Sequence, residues 1–293
     1  MNPNNNPVSI IIPFRNEEKY LERTCENMQY LVKNYSQIDV VYINSRSQDS
    51  SESIIKQFNR FKVLSCDKSG PYAARNAGIT GTTSDILVFA DADCLYSNKW
   101  LSEILAAFEG GLVKMCIGSV QCDSSRSFLL RSLDRYNHLN MKRCYQNHGN
   151  TYTWAHGGNM AVKRELFEEF GLFKEVDGGE DTCFFHRVSK NLNSGKVHIL
   201  NDCHCTHLEI PSTAIFLKRA FNRGKKHAER NDKLEYVSFF ERLKENLQSI
   251  SAGELKLKDY VGANITLLLW FTFKKLGLIS NAIKRHLERS SEK

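Results

Sequence analysis

The stretch DILVFADADC, residues 85–94, sets five apolar residues, Ile86–Ala90, directly before Asp91 and Asp93, with Ala92 between them. A short apolar run bounded by polar residues reads as a buried strand. Its end is a place where a bare negative charge is expensive to desolvate. Acids at i and i+2 of extended chain point to one face, and like charges that close disfavour each other unless a cation intervenes. Three readings follow. The acids cap a turn, hold a hard divalent cation that also carries substrate phosphates, or form the D-x-D of a HAD-type phosphotransferase. For the last, Leu95 is an unusual residue two beyond the second acid, and three expected strands already precede the motif.

Outward from this stretch, the first 110 residues alternate between two periodicities. Val8–Ile12 is a β-branched run closed by Pro13. Residues 17–33 carry Tyr20, Leu21, Cys25, Met28 and Leu31 on one helical face. Val40–Ile43 reads as a second strand, and Ser50–Phe61 as a helix with Ser50 or Ser51 at its N-cap. Lys62–Ser65 is a third strand, Tyr72–Ile79 a brief helix, and Trp100–Phe108 a helix after Ile86–Ala90. This rhythm predicts parallel strands joined by right-handed crossovers, with a crevice beyond their carboxyl ends. Three polar clusters fall at those ends: Pro13–Glu17, Asn44–Asp49 and Asp91–Asp93.

Further along, Val113–Gln121 reads as a strand and Ser127–Cys144 as an amphipathic helix. A glycine-bearing turn, a short apolar strand and a helix opening near Lys163 follow, then a loop into a helix after GGED, and a strand at Val197–Leu200. Beyond Pro211 only helices are expected, which suggests a domain over 7–210 and a helical segment over 211–293.

The sequence has 293 residues, 41% hydrophobic and 25% charged, as in ordinary globular proteins. Asn2–Asn6 reads as a frayed end. No basic region precedes an apolar one at the N-terminus, so no secretory signal is expected. Nine scattered cysteines, an odd number, argue against a disulfide framework and for a reducing cytoplasmic setting. The net charge of +7 divides into −1 up to Ile215 and +8 from Phe216 onward. Such a basic quarter suits an anionic neighbour or a solvated face. No aromatic-basic platform or recognition motif accompanies it, so nucleic acid is not expected as a partner.

The series VSIIIPFRNEEKYLERT, SGPYAARNAGI, DILVFADADC followed by Trp100-Leu101, GGNMAVKRELFEEFGLF and GGEDTCFFHRV closely resembles, in this order, the family 2 glycosyltransferases of the GT-A fold. The resemblance covers about residues 8–208. It implies an α/β fold of GT-A (Rossmann-like) type, with a mixed, mostly parallel sheet flanked by helices and an α-helical C-terminal segment. It implies sugar transfer with inversion from a nucleotide-sugar donor, UDP by default, to a glycan or lipid-linked acceptor, with Mn²⁺ or Mg²⁺ as cofactor. By the same resemblance Asp181 is the general base. Asp93 and His207 hold the metal, and Asp91 reaches the ribose beside Ala92. Pro13, Arg15 and Glu17 lie in the loop at the base and ribose, and Arg75 and Asn76 line the nucleotide side of the cleft. His156 either touches the acceptor or phosphates or supports its own loop, and Glu180 is expected at the acceptor.

One departure stands out. The family's Asp-rich stretch after the second strand reads INSRSQDSS here: Asn44 replaces the first acid and Arg46 a glycine, while Ser47 and Asp49 persist. An amide still pairs with a base edge, but without charge, which leaves the nucleobase open and allows a sugar-nucleotide binder with little turnover as the alternative. In CHCTH, Cys203 and Cys205 read as strand residues facing one side, since no second ligand pair for zinc is evident. Val261–Phe273 is a charge-free run of thirteen residues, short for a membrane span. It reads as a buried helix or, flanked by lysines, as a helix on an anionic membrane surface.

Overall fold

The computed structural model describes residues 7–122, 127–137, 155–176, 179–192, 196–210, 212–227 and 256–291. Asn2–Asn6 and residues 138–144 of the helix expected over Ser127–Cys144 lie outside them. Among the described residues there are eight strands: β1 (Val8–Phe14), β2 (Ile38–Asn44), β3 (Phe61–Ser65), β4 (Ile86–Ala90), β5 (Cys94–Tyr96), β6 (Met115–Cys122), β7 (Asn159–Lys163) and β8 (Val197–His207). The helices are α1 (Glu18–Val32), α2 (Ser51–Ile55), α3 (Pro71–Thr80), α4 (Trp100–Ala107), α5 (residues 128–137), α6 (Arg164–Phe170), α7 (Glu180–Ser189), α8 (Thr213–His227) and α9 (Leu257–Ser291).

The strands form one mixed sheet in the order β3-β2-β1-β4-β7-β6-β8-β5. The first four are parallel, as the alternating rhythm predicts. β7 then runs antiparallel to β4 and β6, and β5 antiparallel to β8. Side chains alternate between two apolar layers. Val8, Ile10 and Ile12 of β1 and Val88 and Ala90 of β4 face α1 and α4, whereas Ile11, Leu87 and Phe89 face α3, α6 and α7. That period of two, with both faces covered, is why these strands read as unbroken apolar runs. On the second face Phe89, Phe167, Phe173 and Phe184 pack with ring centroids 4.4–5.8 Å apart.

Contacts divide the chain into two compact units, Met1–Gln121 with Met141–Leu208, and Cys122–Asn140 with Glu209–Lys293. Residues 122–140 therefore group with the C-terminal helices, although they lie inside the 7–210 span expected for the sheet domain. In the second unit, Leu133 and Tyr136 of α5 pack with Ala263 and Leu267 of α9. Arg135 and Ser132 bond the buried Asp259 at 2.7 and 3.4 Å.

Several boundaries differ from the sequence reading for physical reasons. β1 runs through Pro13 to Phe14, because its ladder to β4 ends at Ile11↔Phe89 and the missing N–H interrupts nothing on that side. The helix expected to reach Phe61 stops at Ile55, and the following turn stacks Phe58 on Phe61 at 5.4 Å. Ser50 makes no side-chain cap; Asp49 Oδ1 accepts the Ser51 N–H instead, at 3.1 Å. β8 extends seven residues past Leu200 to His207, because Cys203 and Cys205 are fully buried and behave as small apolar side chains at alternate positions.

Candidate active site

All three polar clusters lie at the carboxyl ends of neighbouring strands. Phe14 and Asn44 are register partners at the ends of β1 and β2, and the loops beyond them are laced together. The N–H groups of Asn16, Glu17 and Glu18 donate to Ser47 Oγ, Ser51 Oγ and Asp49 Oδ2. In return Asn16 Oδ1 and Glu18 Oε2 accept from the Gln48 and Ser50 N–H. Asn44 turns its amide inward: Oδ1 accepts the Ser47 N–H at 2.8 Å and Nδ2 donates to Glu52 at 2.6 Å. Arg46 stands exposed at φ 59°, the left-handed conformation that explains why a glycine suits this position. Arg15 is also exposed and Glu17 half-buried.

At the end of β4 the chain turns instead of continuing extended. The Cys94 N–H returns to the Asp91 carbonyl at 3.3 Å, and β5 begins at Cys94. The two acids thus converge through a turn, not through strand alternation. Ala92 is buried, and its carbonyl accepts Thr24 Oγ1 from α1 at 2.8 Å. The Asp91 N–H donates to the buried Tyr96 hydroxyl, which donates onward to the Gly158 carbonyl, each at 2.7 Å. Burial, foremost, pushes the Tyr96 hydroxyl well above its ordinary pKa, so it stays protonated for this relay.

Opposite Cys94 in the β5–β8 ladder lies His207, whose Nδ1 is 3.1 Å from Asp93 Oδ2. Asp91, Asp93, Cys94 and His207 each offer a ligand atom within 4.8 Å of the others. A divalent cation 2.0–2.6 Å from its ligands fits such a cluster with small side-chain shifts. A hydrogen bond with Cys205 and then burial hold the Cys94 thiol well above its ordinary pKa. Two carboxylates and an imidazole stand beside this thiol in the donor set.

Arg75 joins this cluster to α7. Its guanidinium is fully buried and donates to Asp91 Oδ1 at 2.8 Å and to Glu180 Oε1 at 2.5 Å. Burial opposes the Arg75 charge, but Asp91, Glu180 and Asp181 outweigh it and raise its pKa. Burial pushes Glu180 above the usual carboxylate range, while Arg75 pulls it down and Asp181 adds to the rise. Glu180, expected at the acceptor, therefore spends its carboxylate beneath the surface on Arg75. Asp181 is half-buried, with Oδ2 accepting the Gly157 N–H at 2.7 Å and Oδ1 its neighbour Thr182 N–H at 2.6 Å. His156, just before Gly157, is half-buried, and its carbonyl accepts the Asn159 N–H. Asn76 is committed elsewhere, since its amide both donates to and accepts from the Phe173 backbone.

Two residue types escaped the sequence reading. Tyr96 sits on a three-residue strand too short to leave a periodic signal. In the GGN motif, a Cβ on Gly157 would meet the Arg75 guanidinium at 2.7 Å, and one on Gly158 the Asp91 carboxylate at 2.1 Å. The paired glycines thus let the chain cross directly over the Arg75–Asp91 pair. Asn159 then anchors the crossing: it accepts Trp100 Nε1 and donates to the Ser119 and Cys203 carbonyls.

The model of glycosyl transferase family 2 matches residues 9–171, more than half of the chain. The chain belongs to glycosyl transferase family 2. As a family 2 glycosyltransferase it is similar to Glycosyltransferase AglE of Haloferax volcanii, at 26% identity over 181 residues, which are 59% of this chain and 58% of AglE. The chain spans between 13% and 58% of the length of the first curated relatives it matches. Among solved structures it resembles the mannosyltransferase PcManGT from Pyrobaculum calidifontis in complex with GDP-Man and Mn²⁺, with a TM-score of 0.59 and 18% identity over 95% of this chain and 86% of that one. It also resembles S. aureus TarS 1–349 in complex with UDP-GlcNAc, with a TM-score of 0.54 and 16% identity over 94% of this chain and 83% of that one. The fold of this family 2 glycosyltransferase is GT-A, as the motif series implied, and the HAD-type reading of Asp91 and Asp93 falls away.

Proposed function

We propose that the enzyme transfers a sugar from a nucleoside diphosphate sugar to an acceptor hydroxyl with inversion, in polysaccharide or glycolipid synthesis, with Asp181 as general base. The observation that carries this reading is the placement of Asp181. Two backbone N–H groups fix both of its oxygens, and its neighbour Glu180 is tied through Arg75 to Asp91. Base and donor site are thus held in one hydrogen-bonded frame. In the reaction the acceptor oxygen bonds to the anomeric carbon as Asp181 takes its proton. The bond from that carbon to the diphosphate breaks, and its electron pair leaves with the nucleoside diphosphate. A positioned base of this kind contributes roughly 10²–10⁴-fold.

On the donor side the proposal assigns Asp91, Ala92 and Asp93 to the diphosphate and ribose, and Pro13, Arg15, Glu17 and Asn44 to the nucleoside. Arg75 acts from below by holding Asp91, and Glu180 acts by holding Arg75, so both are positioning residues. His156 meets the acceptor, a glycan or lipid-linked precursor. Asp91, Asp93 and His207 would hold the Mn²⁺ or Mg²⁺, which supplies Lewis-acid stabilisation of the leaving diphosphate. The imidazole in the donor set favours the transition metal, and PcManGT carries Mn²⁺.

The neighbours carry UDP in one case and GDP in the other, so a UDP-sugar is the first donor to test and a GDP-sugar the second. A thermal-shift panel of nucleotide sugars with Mn²⁺ or with EDTA tests the assignment. At least one donor is expected to raise the unfolding temperature in a metal-dependent way, and the Asp93→Asn variant to lose that rise. A panel without any shift, or a shift unaffected by EDTA and by Asp93→Asn, contradicts it.

A further inference from the structure

The second unit contains α9, 35 residues long and so about 50 Å from end to end. One face is covered. Ala263 and Leu267 pack on α5, and Gly277 and Gly224 let α9 and α8 cross backbone to backbone, where a Cβ on either would lie 2.0 Å from a carbonyl oxygen of the other helix. The opposite face is apolar and, among the described residues, uncovered. Leu257, Val261, Ile265 and Leu268 on the first half, and Leu276, Ile279, Ile283 and Leu287 on the second, are each 45–66% exposed.

These positions, with the exposed Thr272, recur every three or four residues and fall on an arc of about 120° of a straight helix. Their mean spacing is about 3.75 residues, wider than the 3.5 that keeps a two-helix seam in register. The stripe therefore suits a flat apolar medium better than a second copy of the helix. Lys258, Lys275 and Lys284 are exposed beside it, and residues 257–291 hold six Lys and Arg against two Asp and Glu. One of those acids, Asp259, is already paired with Arg135. Among the described residues no helix is long and apolar enough to cross a membrane, and Lys274 and Lys275 interrupt this one near its middle. An apolar face flanked by lysines, on a helix that does not span, is the pattern of a helix lying in a membrane interface.

We propose that the exposed face of α9 docks on a lipid bilayer carrying anionic headgroups. The proposal stands on unit two alone and does not depend on the glycosyl-transfer reading. The test is flotation of the full chain with vesicles of phosphatidylcholine alone or mixed with phosphatidylglycerol, at low and high salt. The chain is expected to float with the mixed vesicles, to bind the neutral ones at least tenfold more weakly, and to be released by salt. Leu268→Glu/Ile279→Glu, at exposed positions, is expected to weaken binding at least tenfold while the circular dichroism and urea midpoint stay unchanged. Should that variant misfold, Lys258→Ser/Lys275→Ser/Lys284→Ser leaves the stripe untouched and is expected to remove the preference for anionic lipid. Absence of flotation, or flotation indifferent to both variants, overturns the proposal. So does a lipid-free dimer in sedimentation equilibrium that the Leu268→Glu/Ile279→Glu change dissociates, because the stripe would then belong to a second copy.

Discussion

Arg75 is the residue on which the site's electrostatics turn. Its guanidinium bridges the half-buried Asp91 and the buried Glu180, and removing one partner of such a cluster strands the others. Arg75→Leu is expected to cost about 3–5 kcal/mol in urea unfolding and to abolish donor binding. Glu180→Gln is expected to cost less, since the glutamate sits above its ordinary pKa and is the more reluctant charge, and since Arg75 keeps Asp91. Equal losses in the two variants would contradict this ordering. Arg46 poses the opposite case. It occupies a left-handed position with φ 59°, so Arg46→Gly is expected to raise the unfolding free energy by up to about 1 kcal/mol. A lower urea midpoint would contradict that. The sequence named Arg75, Asp91, Asp93, Asp181 and His207, but the Arg75–Glu180 link joins residues 105 apart and leaves no local trace.

At the scale of elements, the rhythm of apolar runs and amphipathic stretches was enough to find β1–β4 with their intervening helices, because each buries a regular stripe. What it missed was short or built from atypical residues. β5 has three residues, and the second half of β8 buries cysteines where aliphatic residues are usual. The loops after β1 and β2 carry their own acid dependence. Burial, the largest single effect, opposes the Asp49 charge, but hydrogen bonds from Ser51 and the Glu18 N–H together outweigh it and hold its carboxyl below the ordinary value. Lys56, then Asn44, hold Glu52 below 4.5. Both carboxylates favour the folded state fully above those ordinary values and lose that contribution as pH falls through the lower folded ones. Stability measured in urea is thus expected to decline below about pH 4, and less steeply in Asp49→Asn/Glu52→Gln. Between α8 and α9, Gly277→Ala places a methyl group against the Phe221 carbonyl and is expected to cost about 1–3 kcal/mol. An unchanged midpoint would mean that the helices can separate without penalty.

Across the molecule, the order of five separately weak motifs carried more than any of them, because a sheet of fixed topology brings strand ends together only in that order. β1, β2 and β4 are neighbours, so clusters near residues 14, 45 and 92 line one edge, and β7 and β8 bring Gly157–Gly158 and His207 to it. The nucleobase stayed illegible, because Asn44 and Arg46 depart from the pattern and Asn44 commits part of its amide to its own loop. The central claim is that a carboxylate fixed by two backbone N–H groups takes the acceptor's proton. Its most direct test is release of nucleoside diphosphate from the donor found by thermal shift, compared between the wild-type chain and Asp181→Asn with Mn²⁺ present. A rate at least 10²-fold lower in the variant, with its donor-induced thermal shift retained, is the predicted result; a variant that releases nucleoside diphosphate at near the wild-type rate would contradict it.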